Sequence, residues 1–158
     1  MTENTLPSYI PEEEDQESLQ KLDKRTRARV IAFQMSVQDD ANPQDPNSRL
    51  SEEMDDGMFR DSLHGPKQIE MAAKIIEGIR EHKSEIDEKI SAQAVNWSLS
   101  RMALTDRNAL RLGAYELLYT DTPVPVAINE AVEIAKMFGS ENSAAFVNGI
   151  LDKIAKEK

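Results

Sequence analysis

The sequence predicts an all-α fold on three observations. Apolar residues recur at the i, i+3, i+4, i+7 spacing of helices through most of the chain, breaker-rich stretches separate those segments, and no stretch makes a convincing strand. A length of 158 residues suits one compact domain with a tail, and is ample for a core without disulfide or metal staples. Hydrophobic residues make up 39% and charged residues 30%, the balance of a globular chain.

Residues 1–22 carry Pro7, Pro11 and a run of carboxylates without periodicity, which reads as a disordered acidic tail. From about Lys24 to Gln38, Val30, Phe33 and Val37 fall on one helical face. The stretch from Asp39 to Ser48 is dense in breakers and reads as a loop. Ser51 followed by Glu52 and Glu53 predicts a capped short helix to about Leu63. His64-Gly65-Pro66 stops it, and Pro66 suits the first turn of the next helix, which carries Ile69, Ala72, Ala73, Ile76 and Ile79. Ser84 is the expected cap of a helix bearing Ile86, Ile90 and Ala94, and Trp97 and Leu99 are expected to be buried in the link beyond it. Thr105-Asp106 opens the most apolar helix, with Leu110, Leu112, Ala114, Tyr115, Leu117 and Leu118; so apolar a helix belongs at the centre of the fold. After Thr122-Pro123-Val124-Pro125 comes a helix with Ile128, Ala131, Val132, Ala135 and Phe138, ending at Gly139 as an expected left-handed cap. The last helix starts near Ser143 and carries Val147, Ile150, Leu151 and Ile154. These segments amount to about seven helices.

Composition narrows the chemistry. Cysteine is absent, which removes thiol catalysis, cysteine-ligated zinc and disulfides, and fits a reducing compartment. No apolar run approaches the roughly 18 residues of a membrane span, and the polar N-terminus is unlike a signal peptide. There is no nucleophile elbow, phosphate-binding loop or glycine-rich dinucleotide fingerprint. His64 reads as a turn residue, and His82 as a solvated or dipole-complementing group on a charged helix end. We therefore expect no enzyme, no cofactor, no catalytic residues and no metal ligands.

The net charge of −10 argues against nonspecific nucleic-acid binding if it is evenly spread, but it is not. By blocks, residues 1–20 carry −6, residues 21–34 carry +4, residues 35–63 carry −6, residues 64–101 are neutral and residues 102–158 carry −2. Lys24, Arg25, Arg27 and Arg29 thus form a basic island at a helix start, where cations oppose the macrodipole. Helix stability does not account for them, whereas a polyanionic partner does. An ordinary charged helix start is the competing reading, with equal weight on this segment alone. Selective RNA binding also needs planar side chains for base stacking. Phe146, at the margin of the last helix's apolar stripe, is a candidate, although a core-edge phenylalanine is the commoner case. Tyr115 and Tyr119 share that ambiguity.

Three motifs, DRNALRLGAYELL (106–118), VAINEAVEIAKMFG (126–139) and FVNGILDKI (146–154), occur in order with RTRARVIAFQ (25–34) ahead of them. Together they resemble the bacterial transcription antitermination factor NusB family over most of residues 24–156, with a poor match over 41–67. The resemblance implies two small helical bundles packed together and a NusB-like RNA-binding domain over residues 23–156. It implies a cytoplasmic protein that binds the boxA element of ribosomal-RNA transcripts with the ribosomal protein NusE, inside an RNA polymerase antitermination complex. Carried over by position, the RNA-binding residues are Arg25, Arg27 and Arg29 with Lys24 beside them, continuing to Asn142 and Phe146; the NusE contact falls near Asp106. Two departures weaken that surface, since Val37 and Ala145 stand where relatives often have an aromatic and a basic residue. Asn142, where relatives can carry an acid, offsets part of the loss. A NusB-like protein-interaction module without RNA binding is the alternative. Ribosomal-RNA cytosine methyltransferases with a NusB-like domain are a third, set aside because the chain ends at Lys158 and has no cysteine.

Overall fold

A computed structural model of the chain describes residues 23–42 and 66–158; the expected tail over 1–22 and the expected helix from Ser51 to Leu63 lie outside them. The described residues form six α-helices and one 3-10 turn, with no strand. The chain divides into two compact units, Met1–Ile76 and Glu77–Lys158.

In the first unit, α1 spans Lys24–Ala41, three residues beyond the expected end. Asp23 caps it: the carboxylate accepts from the Arg25 N–H at 2.7 Å, supplying the negative charge that a first turn of cations lacks. At the other end the Asn42 N–H donates to the Gln38 carbonyl at 2.9 Å. The apolar spacing showed a stripe, but α1 is buried nearly all round, Arg29, Ser36 and Gln38 along with Val30, Phe33 and Val37. Helix α2, Pro66–Glu81, crosses from the first unit into the second and buries Ala72, Ile75, Ile76 and Ile79. Ile69 and Ala73 are half-buried at the edges of that stripe.

The second unit is built around α4, Leu104–Tyr119, against which α3 (Lys83–Gln93), α5 (Val124–Phe138) and α6 (Ser143–Glu157) all pack. The central place expected of the most apolar helix is the one it takes: Ala109, Leu110, Leu112, Ala114 and Leu117 are fully buried. Ile86 and Ile90 of α3, Ala131 and Ile134 of α5, and Val147 and Leu151 of α6 complete this core. Three polar residues of α4 are buried with them. Arg111 meets Asp87 of α3 through two hydrogen bonds, Nε to Oδ1 at 2.8 Å and Nη2 to Oδ2 at 3.1 Å. Its Nη1 donates to Asn108 Oδ1 at 3.2 Å, and Asn108 in turn donates to the Leu104 carbonyl at 2.8 Å. Glu116 accepts from Thr122 Oγ1 at 3.1 Å, while Thr120 Oγ1 donates to the Glu116 carbonyl at 2.7 Å, which pins the turn into α5. Buried charge is tolerated here because each group has partners.

Several local expectations are corrected. The cap of α3 is His82 rather than Ser84, because the backbone barely breaks there: the His82 N–H reaches Gly78 at 3.0 Å and the Ile86 N–H reaches His82 at 2.9 Å. His82 is not simply solvated. Its ring stacks on Tyr119 at 3.8 Å between centroids and 10° between planes, and its Nδ1 lies 3.4 Å from Glu85. Tyr119 in turn stacks on Tyr115. Partial burial, and then the neighbouring carboxylates, push both phenols above their ordinary value. Helix α4 begins at Leu104, ahead of Thr105-Asp106, after Ala103 and with no side-chain cap. Trp97 is 50% exposed rather than buried, Leu99 is half-buried, and Met102 is the residue of the link that enters the core.

Gly139 ends α5 as expected, but its φ of −96° is not left-handed. Glycine suits it because a Cβ there would lie 2.6 Å from Ser143 Cβ and 2.7 Å from the Ala135 carbonyl. Ser143, buried at the start of α6, uses its hydroxyl to accept from the Ser140 N–H at 2.9 Å. Two helical glycines make a matched prediction. A Cβ on Gly113 would overlap a Leu151 methyl and sit 3.1 Å from Ala131 Cβ, whereas Gly149 faces open space. Gly113→Ala is expected to destabilise by about 1–2 kcal/mol through overpacking. Gly149→Ala is expected to stabilise by about 0.8 kcal/mol through helix propensity. Urea denaturation of the two variants checks the opposite signs.

Candidate RNA-binding surface

The basic island of α1 sorts by burial. Lys24 and Arg25 are exposed, Arg27 is half-buried and Arg29 is 5% exposed. Arg27 and Arg29 both make polar or electrostatic contacts in the structure, so their charges are partly engaged already. Lys24 and Arg25 are therefore the cations best placed to meet an incoming phosphate, next to the Asp23 cap. The stretch from Lys24 to Gln38 has no acidic residue, and the Asp23 carboxylate that precedes it is used by the helix start itself. Val37 is 5% exposed and offers no stacking face.

The second set of residues lies on α6 in the other unit. Asn142 is the N-cap residue, exposed, with φ −95° and ψ −4°, and its side chain makes no capping hydrogen bond. Phe146 is half-buried one turn further on, its N–H bonded to the Asn142 carbonyl at 3.2 Å. One turn of helix puts Asn142 and Phe146 on the same face. Ala145 between them is exposed and carries no charge. Val147, Ile150, Leu151 and Ile154 take the buried side, which leaves Phe146 at the margin the spacing indicated.

Asp106 stands in the first turn of α4, half-buried, with one buried carboxylate oxygen that has no hydrogen-bond partner. Beside it, Arg107 Nη1 reaches back to the carbonyls of Leu99 at 3.4 Å and Met102 at 3.3 Å, which ties the helix start to the 3-10 turn Leu99–Arg101. The structure thus pairs Asn142 with Phe146 and sets Asp106 on a different helix of the same unit; the α1 cations belong to the first unit. Among the described residues no group of three His, Asp or Glu side chains is arranged to hold a metal ion, and no helix is long and apolar enough to cross a membrane.

The NusB family model matches residues 25–156, from the first arginine of the basic island to the last turn of α6. The chain belongs to the NusB family. Among its NusB relatives, the transcription antitermination protein NusB of Anaeromyxobacter dehalogenans is 44% identical over 134 residues, covering 84% of this chain and 90% of that one. The protein of the same description from Thermotoga maritima is 55% identical over 92 residues, 58% of this chain and 65% of the relative. A solved structure of T. maritima NusB superposes with a TM-score of 0.74 at 44% identity, covering 84% and 91% of the two chains. A crystal structure of antitermination factors NusB and NusE in complex with double-stranded RNA contains a chain that is similar at a TM-score of 0.74 and 27% identity, covering 85% of this chain and 98% of that one. The all-helical NusB architecture that the motifs implied is the one observed.

Proposed function

We propose that this NusB-family chain is a transcription antitermination factor that binds boxA RNA of ribosomal-RNA transcripts together with NusE, as part of the RNA polymerase antitermination complex. The observation that carries the reading is the start of α1. Lys24 and Arg25 are exposed at a helix end whose dipole disfavours cations, in a chain whose net charge is −10. Phosphate contacts there supply a salt-dependent share of the affinity, and the half-buried Phe146 ring, one helical turn from the exposed Asn142 amide, supplies stacking and hydrogen bonding for a base. Support for the partner comes from the NusB relative solved with NusE and RNA. We assign the NusE contact, from the NusB resemblance, to the start of α4 around the half-buried Asp106.

In this reading residues 23–156 are the RNA-binding domain and residues 1–22 a solubilising acidic extension. The protein acts by binding, without catalysis or a cofactor, in the cytoplasm where transcripts are made. A second reading, a helical module that binds NusE but no RNA, draws on the burial of Arg29 and the uncharged Ala145. The two part in one experiment, in which the chain is mixed with NusE, a boxA oligonucleotide, or both. The proposed function predicts a ternary complex on a sizing column, with boxA retained more tightly when NusE is present. A protein pair that forms and leaves boxA unbound supports the module instead.

A further inference from the structure

In this acidic chain, runs without Asp or Glu are informative. The three longest are residues 89–105 with 17 positions, residues 24–38 with 15 and residues 142–151 with 10. The second holds the α1 cations and the third holds Asn142 and Phe146. The longest has no role in the proposed function, yet it contains the chain's single tryptophan, 50% exposed.

Its centre, residues 95–101, alternates apolar and polar side chains: Val95, Asn96, Trp97, Ser98, Leu99, Ser100 and then Arg101. Val95 is 73% exposed, and Asn96, Ser98, Ser100 and Arg101 are exposed around the indole. This exposure sits on a built turn. Asn96 adopts a φ of +71°, a left-handed conformation that asparagine tolerates better than most residues, and the Trp97 N–H closes the turn on the Ala94 carbonyl at 3.1 Å. Met102 anchors the far side in the core, and Arg107 holds the carbonyls of Leu99 and Met102 from α4. Gln93, just before the turn, bonds to Glu157 near the end of α6.

We propose that the 95–101 turn is a second RNA contact, with the Trp97 indole stacking on an unpaired base and Arg101 meeting a phosphate. The inference rests on the reading that this chain binds RNA. An exposed aromatic flanked by hydroxyl, amide and guanidinium donors, in a run of sequence free of Asp and Glu, is the chemistry that single-stranded RNA selects. A protein partner would be served by an indole and Val95 as well, but it has no need of an acid-free run of sequence like those that hold the two proposed RNA-binding segments.

Trp97 is its own probe, because every tryptophan photon comes from it. The full chain is titrated with unlabelled boxA RNA carrying several unpaired nucleotides on each side, and binding is followed in parallel by the anisotropy of the same RNA with a dye. Saturable quenching of Trp97 emission, at the Kd that anisotropy reports, is expected. Trp97→Ala should weaken that Kd on the order of ten-fold and Trp97→Phe by less, with unchanged helix content by circular dichroism. RNA that binds by anisotropy without quenching, and with equal affinity for Trp97→Ala, overturns this inference and leaves RNA binding through α1 standing. No anisotropy change even with NusE present overturns both. A shift of Trp97 emission by NusE alone, with no quenching by RNA, assigns the turn to the protein partner and also overturns it.

Discussion

Asp87→Ala is expected to destabilise the second unit by about 3 kcal/mol, the largest single-residue effect on stability we expect. The Arg111 side chain is 6% exposed and that of Asp87 23%, so truncating the aspartate leaves a buried guanidinium without that carboxylate, while its Nη1 still donates to neutral Asn108. Removing one member of such a pair costs about 3–5 kcal/mol, and the residual exposure of Asp87 places it at the low end. The pair itself is not the source of that stability, because desolvation offsets much of its attraction. Asp87→Ala/Arg111→Leu is therefore expected to recover most of the loss, since the apolar side chain suits a helix surrounded by Leu110, Leu112 and Leu117. Urea denaturation of the two single variants and the double variant, followed by circular dichroism, reads this directly. A double variant no better than Asp87→Ala would mean that the pair, rather than the stranded charge, carries the energy.

Lys24→Ala/Arg25→Ala is expected to weaken boxA binding about a hundred-fold, two charged contacts at about 1.5 kcal/mol each. The log–log salt slope should fall by about 1.4, which is two phosphates at roughly 0.7 each for a single strand. Both side chains are exposed and Asp23 still caps the helix, so stability should change little. Arg29 is a poorer choice for such a test. At 5% exposure its removal disturbs packing, and a lost affinity would not distinguish contact from fold. Fluorescence anisotropy across a salt series supplies both quantities. An affinity unchanged within two-fold would remove α1 from the RNA surface.

How much of this was legible in the sequence depends on what each residue answers to. The periodicity of α4, α5 and α6 records which side of a helix leaves water, so Leu110, Ala131, Val147 and Leu151 were readable as core from spacing alone. Asp87 and Arg111 were not, since a charge run carries no mark of which member is buried; only the packing of α3 on α4 pairs them. The burial of Arg29 was hidden in the same way, because its neighbours in sequence announce a basic helix start while the helix is buried nearly all round. Trp97 went astray in the opposite direction. Hydrophobicity predicted burial, but the Asn96 turn displays the ring and Met102 takes the core position. At Gly139 the residue was right and the reason wrong: close approach to Ser143, rather than a left-handed backbone, is what excludes a side chain. Of the candidate site, the structure shows Lys24 and Arg25 exposed where charge pattern and motif coincide, and Phe146 at the margin of the α6 stripe that the spacing indicated.

The central claim is that an acidic protein binds one RNA selectively through a local basic surface, assisted by a protein partner. It is tested most directly by measuring the affinity for boxA and for a scrambled RNA of equal length, with and without NusE, across a salt series. The account predicts weak binding of both RNAs by the chain alone. It further predicts a clear gain for boxA with NusE, and a boxA preference that persists as salt rises while the scrambled RNA is lost. Equal affinities for the two RNAs at every salt concentration, or no response to NusE, would contradict it.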